Sequence, residues 1–501
     1  MRALVLPALI LLAAALPLAS GGASAQTKPQ PQARPEAPAH AGSMQEAARL
    51  HSQGVQAFQS GDYAAAAAWF GRALPLYEAA RPAGHSDIIM ALNNLALADF
   101  HQGRHAQAEA VHRRALAMRE AALPAGHPDI AASLTNLALA VGAQGRHAEA
   151  ESLNLRALAI QEAALPAGHP DMDASLNNLA ASAFAQGQFA QAEAMLRRAL
   201  AAREAALPAD HRDLAPLLNS LAVVVLAEGR YAQAEALHQR ALAIQEAALP
   251  ANHPDIAMSL NNLALVMYAQ GRHAEAEPLH GRALAIHEAA LPAGHPSIAT
   301  SLDNLAGAIL AQGRHADAAR LFQRALTMRE ASLPAGHPDI ARSMNNLAIS
   351  VQSQGGYADA EALHHRVLTM REAALPDGHP DIAQSLKNLG VVIRDQGRHA
   401  DSEDLFVQAL AIYQTALPAG HNHLDQTTRA LAGLYLDPLS RPADALTQAR
   451  AGSANVLVRV ERLRADAATR DLAQAEVRGA QSGFILHALA ARRAAMAGEA
   501  R

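Results

Sequence analysis

Apolar residues recur at helical spacing along most of the chain, in paired segments that glycine or proline separates. In 128–143, Ile130, Leu134 and Leu137 fall on one face at the 3.6-residue period of an α-helix. In 147–165, a second stripe is predicted to contain Ala150, Leu153, Ala157, Leu158, Ala164 and Leu165. The pattern therefore predicts two amphipathic helices, each with one face to bury.

The residues at the ends of these segments favour helix starts and stops. His127 can cap the first helix, Pro128 suits its first position, and Asp129 lies in the first turn, where the helix dipole favours an acid. Gly145 can adopt a positive φ and end that helix, and Pro166 stops the second. The segment 127–168 thus predicts one helix-turn-helix hairpin.

This hairpin is one copy of a repeat with a fixed 42-residue period. Nine histidines mark the period without an insertion or deletion: His85, His127, His169, His211, His253, His295, His337, His379 and His421. A fixed period in this range indicates a solenoid. One hairpin cannot bury its apolar stripes alone, but stacked copies can.

The recurring text, HPD-I-A-x-S-L-N-N-L-A followed by QGR-H/Y-A-x-A-E and RAL, resembles tetratricopeptide repeats of the kinesin-light-chain-like type. The resemblance covers about 44–452. It implies an all-α fold, a right-handed superhelix of about ten helix-turn-helix units. It also implies that first helices line a concave face, which holds a peptide or a partner protein. The N-terminus lacks a heptad coiled coil, so a motor function does not carry over.

We predict six segments along the chain. They are a signal peptide (1–25), a Pro-rich disordered tether (26–42), an atypical N-terminal repeat (43–84), eight regular units (85–420), a degenerate unit (421–452) and C-terminal capping helices (453–501).

The start of the chain has the layout of a secretory signal peptide. Arg2 precedes an apolar run over 3–19, and Ala23 and Ala25 supply the small residues of a cleavage site. The alternative is an uncleaved membrane anchor, for which a run with two prolines is short. Only two of the 41 basic residues are lysines, which together with the alanine content suggests a GC-rich bacterial genome. We expect an exported bacterial protein, periplasmic or secreted, without stable membrane insertion after cleavage.

Composition and charge narrow the possible functions. A net charge of −5 provides no basic field for nucleic acid, and the absence of cysteine removes thiolate chemistry. The sequence contains no GxSxG, no HExxH and no phosphate-binding glycine loop. We therefore expect no enzymatic activity, no cofactor and no metal, and we expect a monomer that binds a protein or an extended peptide.

The candidate binding residues lie opposite the apolar stripe of the first helices. On a 100° helical wheel Asn136 points away from that stripe, toward the expected groove. Seven of the eight regular units carry asparagine there: Asn94, Asn136, Asn178, Asn262, Asn304, Asn346 and Asn388, with Ser220 in the eighth. An amide can both donate to and accept from a peptide backbone, and kinesin-light-chain-like repeats have a similar asparagine ladder. The alternative is that these amides bond only to each other.

The rest of the expected groove is small, apolar and nearly uncharged, with charges only late in the chain: Arg342, Lys387, Arg394 and Asp395. A cluster of lysine and arginine that could grip a terminal carboxylate is missing. An extended, uncharged peptide segment fits this lining best.

The 25 histidines could suggest metal binding or a response to pH. Most occupy repeat positions, and the turn position holds Phe189 or Tyr231 in some units. Because a metal ligand would not be replaced by phenylalanine, we expect packing and capping roles.

The segment 453–501 leaves the repeat pattern. It is weakly similar to the helical region that precedes a caspase-like CHAT peptidase domain in some bacterial repeat proteins. The alternative function is therefore a recognition subunit, or a truncated relative, of such a peptidase-type system.

Overall fold

The computed structural model describes residues 38–166, 168–465 and 476–496, which form helices joined by short turns, without any strand. The helices are α1 Pro38–Gln59, α2 Tyr63–Ala80, α3 Ser86–His101, α4 His105–Ala122, α5 Pro128–Gly142, α6 His147–Ala164, α7 Pro170–Ala185, α8 Phe189–Ala206, α9 Ala215–Ala227, α10 Tyr231–Ala248, α11 Pro254–Ala269, α12 His273–Ala290, α13 Pro296–Ala311, α14 His315–Ser332, α15 Pro338–Gln352, α16 Tyr357–Ala374, α17 Pro380–Asp395, α18 His399–Ala416, α19 Asn422–Leu436, α20 Pro442–Ala465 and α21 Gln481–Met496. The predicted all-α repeat fold is confirmed.

The chain divides into two compact units, Met1–Asn304 with Ala331–Pro334, and Leu305–Glu330 with Ala335–Arg501. Within each unit, consecutive helices pack against each other, so a first helix contacts its own second helix and the second helix of the preceding repeat. In the first unit, the first helices α5, α7, α9 and α11 also contact one another in succession.

The repeat histidines cap the first helices, as predicted. In each of the nine copies, the ring Nδ1 accepts a hydrogen bond from the backbone N–H two residues later, at 3.1–3.3 Å. The bond satisfies one of the orphan N–H groups at the helix start. One copy begins differently, with Arg212 in place of proline and Pro216 further along. There a 3₁₀ turn, Arg212–Leu214, precedes α9.

The turn inside each hairpin depends on a glycine. Gly145 has a φ of +80°, and Gly271 has a φ of +79° at the equivalent position. Only glycine adopts this left-handed conformation without a steric cost. The predicted role of Gly145 is confirmed.

The predicted apolar stripe of the first helix is buried, with Ile130, Leu134 and Leu137 at 0–1% exposure. On the second helix the prediction was partly wrong, since Ala164 is exposed. The polar Asn154 and Gln161 are buried instead, on the face that also buries Ala150, Ala157 and Leu158. The predicted stripe included only apolar residues, so it omitted these two polar side chains.

Gln161 is buried because its amide reaches the next repeat, where Nε2 donates to the backbone oxygen of Asp171 at 3.0 Å. Arginine makes the same contact at equivalent positions. Arg119 Nη1 donates to Asp129 O at 2.8 Å, and Arg371 Nη1 donates to Asp381 O at 2.8 Å. These side chains tie a second helix to the first helix that follows it.

Long charged side chains connect successive second helices. Arg156 Nη2 lies 2.7 Å from Glu120 Oε1, and Arg240 Nη1 lies 2.6 Å from Glu204 Oε1. In both pairs the partners are 36 residues apart and partly exposed, so each pair adds little stability. Their repetition shows that long side chains bridge the second helices, whereas the first helices pack directly.

Two predicted boundaries lie within helices. Helix α1 begins at Pro38, inside the predicted tether 26–42; residues 26–37 and the predicted signal peptide 1–25 lie outside the described residues. Helix α20 continues through the predicted boundary at 452. Gly452 does not end the helix. Its lack of a side chain allows close packing, because a Cβ there would lie 2.8 Å from Thr428 Oγ1.

Candidate functional site

The structure places the predicted asparagines on the first helices of their repeats. Asn136, Asn178 and Asn262 are half-buried on α5, α7 and α11, and Asn304 and Asn388 are half-buried on α13 and α17. The remaining two, Asn94 and Asn346, are buried at 1% and 7% exposure. Because α5, α7, α9 and α11 contact one another, Asn136, Asn178 and Asn262 belong to one continuous row of first helices, which we call the first-helix face of the first unit.

Most of these amides are not engaged by neighbouring repeats. The side chains of Asn136, Asn178, Asn262, Asn304 and Asn346 form no hydrogen bond with any described residue. The Nδ2 atom of Asn178 is also shielded from solvent.

The two ends of the series differ. Asn94 Nδ2 lies 3.1 Å from His51 Nε2, in a buried contact. Asn388 Nδ2 donates to Asn345 Oδ1, and Gln384 donates to Asn388 Oδ1, both at 2.6 Å. The side chains of Asn94 and Asn388 therefore bond within the protein, unlike the five amides without a partner.

A repeat-to-repeat amide ladder exists one residue earlier, at Asn219 and Asn261. Asn219 Nδ2 donates to Ser259 Oγ at 2.8 Å, and Asn261 Nδ2 donates to Ser301 Oγ at 3.2 Å. In each pair the residues are 40 apart, so the bond joins one first helix to the next. This ladder was not predicted from the sequence, although serine and asparagine recur at these two positions.

Histidines of the second helices complete the ladder. His238 Nδ1 lies 2.8 Å from Asn219 Oδ1, and His280 Nδ1 lies 2.8 Å from Asn261 Oδ1. Because each amide nitrogen already donates to a serine, its oxygen accepts here, and the ring Nδ1 donates. Each histidine therefore carries a proton on Nδ1.

Burial keeps these histidines neutral. It lowers the pKa of His238 to about 3 and that of His280 to about 4. It also lowers the pKa of His112 and of His364 to about 4 at the same repeat position. These observations support the packing role that the sequence analysis predicted for the histidines.

The late charges predicted on the first helices are engaged within the second unit. Arg342 pairs with Asp339 at 3.0 Å, and Arg394 pairs with Asp395 at 2.7 Å. Lys387 Nζ donates to Gln426 Oε1 at 3.0 Å, and burial lowers the pKa of Lys387 to about 8.

The described residues contain no group of three or more acidic, histidine or cysteine side chains that could hold a metal ion. In the same part of the chain, no helix has both the length and the apolar character needed to cross a membrane.

Four segments match a family model described as a tetratricopeptide repeat: residues 87–163, 171–247, 255–331 and 339–415. Together they cover more than half of the chain. Each match spans most of two successive hairpins, in agreement with the observed helices. A comparison with curated proteins found no match.

Solved structures with similar folds include a putative kinesin light chain of Podosopora anserina with nearly identical TPR-like repeats. It is 27% identical, with a TM-score of 0.38, and the match covers 42% of this chain and 99% of that chain. BtubC (BKLC) from P. vanneervenii is 23% identical, with a TM-score of 0.38, and the match covers 46% and 89%. The apo form of RapI is 12% identical, with a TM-score of 0.44 and coverage of 60% and 96%.

We predict that His364→Phe reduces the loss of stability in acid. Both ring nitrogens of His364 are buried without a hydrogen-bond partner in the described chain, and Phe322 occupies the equivalent position. Burial lowers the pKa of His364 from 6.5 to about 4, so protonation favours the unfolded state. The contribution of the neutral ring is complete above pH 6.5 and is lost as pH falls to about 4.

Urea unfolding at pH 7 and at pH 4.5 measures this effect. We expect a smaller decrease in the midpoint for His364→Phe than for the wild type. The matched control is His365→Phe, because the neighbouring His365 has a 59% exposed side chain. An equal decrease in the wild type and His364→Phe would contradict the role assigned to the buried ring.

Proposed function

The chain belongs to the tetratricopeptide repeat family, and on this premise we propose that it is a non-catalytic scaffold that binds a protein or an extended peptide. Proteins of this repeat type are generally binding scaffolds, and the stacked hairpins expose a continuous row of first helices in the first unit. We assign the binding site to this first-helix face.

The observation that carries the proposal is the difference between two adjacent asparagine positions. Asn219 and Asn261 are used by the ladder between repeats. Asn136 and Asn262 are half-buried and form no side-chain hydrogen bond with the described residues. Each free amide can donate to one backbone group of a peptide and accept from another.

The neighbouring side chains favour an uncharged peptide. Leu139, Ala181, Val223 and Leu265 occupy one repeat position on α5, α7, α9 and α11, and all four are apolar. An extended segment that places small or apolar side chains here would gain backbone bonds from the asparagines. The net charge of −5 gives no support for nucleic acid as the partner. We propose that the protein acts as a monomer; the role of a recognition subunit for a CHAT-type peptidase remains the alternative.

We also propose that the protein is exported and that the mature chain begins at Gln26. The basis is the sequence of 1–25, with Arg2, an apolar run and the small residues Ala23 and Ala25. N-terminal sequencing of the protein purified from its native source is expected to start at Gln26. A chain that still starts at Met1 would contradict export by this route.

We predict that Asn136→Ala combined with Asn262→Ala weakens binding of a peptide selected from a random-sequence display library against residues 26–501. Each net hydrogen bond contributes about 1 kcal/mol, so losing one bond at each asparagine reduces affinity about thirtyfold, and losing both bonds at each reduces it further. Calorimetry measures the affinity, and thermal unfolding is expected to change little, because these amides form no bonds within the protein.

The matched control, Asn219→Ala with Asn261→Ala, replaces the two asparagines at the preceding repeat position. These changes remove the ladder bonds and leave Ser259 Oγ and the Nδ1 atoms of His238 and His280 without these partners, so the melting temperature is expected to fall. Full affinity in the Asn136 and Asn262 double variant would contradict the proposed site, whatever the result for the control.

A further inference from the structure

Two parts of the first unit that are more than 230 residues apart in sequence meet in the structure. The turn between α1 and α2 lies against the start of α13. A Cβ built on Gly61 would lie 2.6 Å from Pro296 Cδ and 3.1 Å from His295 Cδ2. The absence of a side chain at residue 61 therefore allows the two segments to touch.

The sequence of this turn differs from that of the eight turns that follow. Residues 60–63 read Ser-Gly-Asp-Tyr, whereas the later turns begin with Gln or Glu and mostly continue with Gly-Arg. Ser60 and Asp62 are shorter than the glutamine and arginine that they replace. Asp62 is engaged locally, where its carboxylate accepts from the backbone N–H of Ala65 at 2.9 Å. The shorter side chains leave room for a close approach.

An aromatic cluster lies beside the contact. The His101 ring stacks on Tyr63 at a centroid distance of 4.7 Å and meets Phe58 edge-on at 5.3 Å. Most other units have alanine at the position of His101, for example Ala143 and Ala185. Only 3% of the residues in the chain are aromatic, so this concentration departs from the repeat pattern.

The opposite side of the contact also departs from the pattern. Ser297 stands where the other regular units have aspartate, as at Asp129. Its backbone N–H still donates to His295 Nδ1 at 3.2 Å, so the helix cap is kept while the carboxylate is lost.

The two histidines can approach because neither is charged at neutral pH. Burial lowers the pKa of His101 to about 4, with further lowering from His105 and His295. Burial also lowers the pKa of His295 to about 4, with a smaller contribution from His287. The nearby Asp99 is paired with Arg104, so no unpaired carboxylate next to His101 favours its protonation.

We propose that the contact of Gly61 with His295 and Pro296 is a latch that closes the first unit on itself. Five whole repeat units, from 85 to 294, and the second half of the unit that contains Gly61 lie between its two sides. The first helices face the interior of this closed turn, since they pack directly while long side chains bridge the second helices. The latch fixes the spacing of the first-helix face, so a ligand that needs a wider face has to open it. This last step rests on the proposed function, whereas the closure itself does not.

The closure is tested without a ligand. The chain has no cysteine, so spin labels attach only at Gln59→Cys and Ala293→Cys, two exposed positions that flank the latch. Pulsed electron paramagnetic resonance on the full chain measures the distance between the labels. We expect a single short population in the background that carries only the two cysteines.

Gly61→Ala is expected to shift that population to longer distances, because the added Cβ collides with Pro296. Gly145→Ala is the matched control. Both glycines have a φ of +80°, but a Cβ at residue 145 meets no atom within 4 Å. The control therefore carries the same strain in its turn without a collision. Circular dichroism checks that both variants keep their helices.

His101→Ala supplies a second test that leaves the turn unchanged, since alanine is the usual residue at this repeat position. We expect it to broaden the distance distribution toward longer values. The latch is wrong if Gly61→Ala and Gly145→Ala give the same distribution, or if His101→Ala leaves the distribution unchanged.

Binding of the library-selected peptide to Gly61→Ala and Gly145→Ala then tests the link to function. Tighter binding to Gly61→Ala would support a latch that restricts the first-helix face. Equal affinities with a confirmed change in distance would contradict that restriction while leaving both the closure and the proposed binding site in place.

Discussion

The contact between the second helix of one repeat and the first helix of the next is the interaction on which the rest of the structure depends. A single hairpin exposes apolar faces on both sides, and only a neighbouring hairpin covers them. Polar bonds reinforce the apolar contact: Gln161, Arg119 and Arg371 each reach a backbone oxygen at the start of the next first helix. Because the same positions repeat every 42 residues, this contact between a second helix and the next first helix recurs along most of the chain.

This stacking also determines which polar groups remain available. On the first helices, Asn219 and Asn261 are used by bonds to serine and histidine between and within repeats. The next residue, as at Asn262, is turned by about 100° around the helix axis and makes no such bond. Two neighbouring asparagines of one chemical type thus have different roles, one structural and one proposed for binding.

The local features of the fold could be predicted from the sequence, because they depend on residues within one repeat. The 42-residue period predicted the hairpins. The predicted histidine caps occur in all nine copies, and Leu134 and its neighbours are buried as predicted. The interface residues were harder to predict. Asn154 and Gln161 are polar yet buried, and a pattern of apolar residues does not identify them. Gly452 lies inside α20, and its close approach to Thr428 of α19 is a contact between helices that the pattern within one helix does not show.

The candidate site was predicted only in part, for a related reason. A helical wheel assigns a face to Asn136, but it cannot show which of two adjacent amides meets a serine in the next repeat. It also cannot show that Asn94 meets His51. The contact of Gly61 with Pro296 depends on the accumulated curvature of the repeats between them, which no local pattern contains.

The central claim is that contacts between successive repeats, rather than any single hairpin, hold the structure together. The most direct test deletes residues 337–378, one full period within the second unit, and compares the product with a deletion of 357–378, which removes only one second helix and its following turn. Circular dichroism and urea unfolding are measured for both. We predict that the full-period deletion keeps its helical content and a cooperative transition, because Gly336 then joins His379 as it joins His337. The half-period deletion is predicted to lose helix or aggregate, because it leaves an apolar face uncovered. Equal losses from the two deletions would contradict the account.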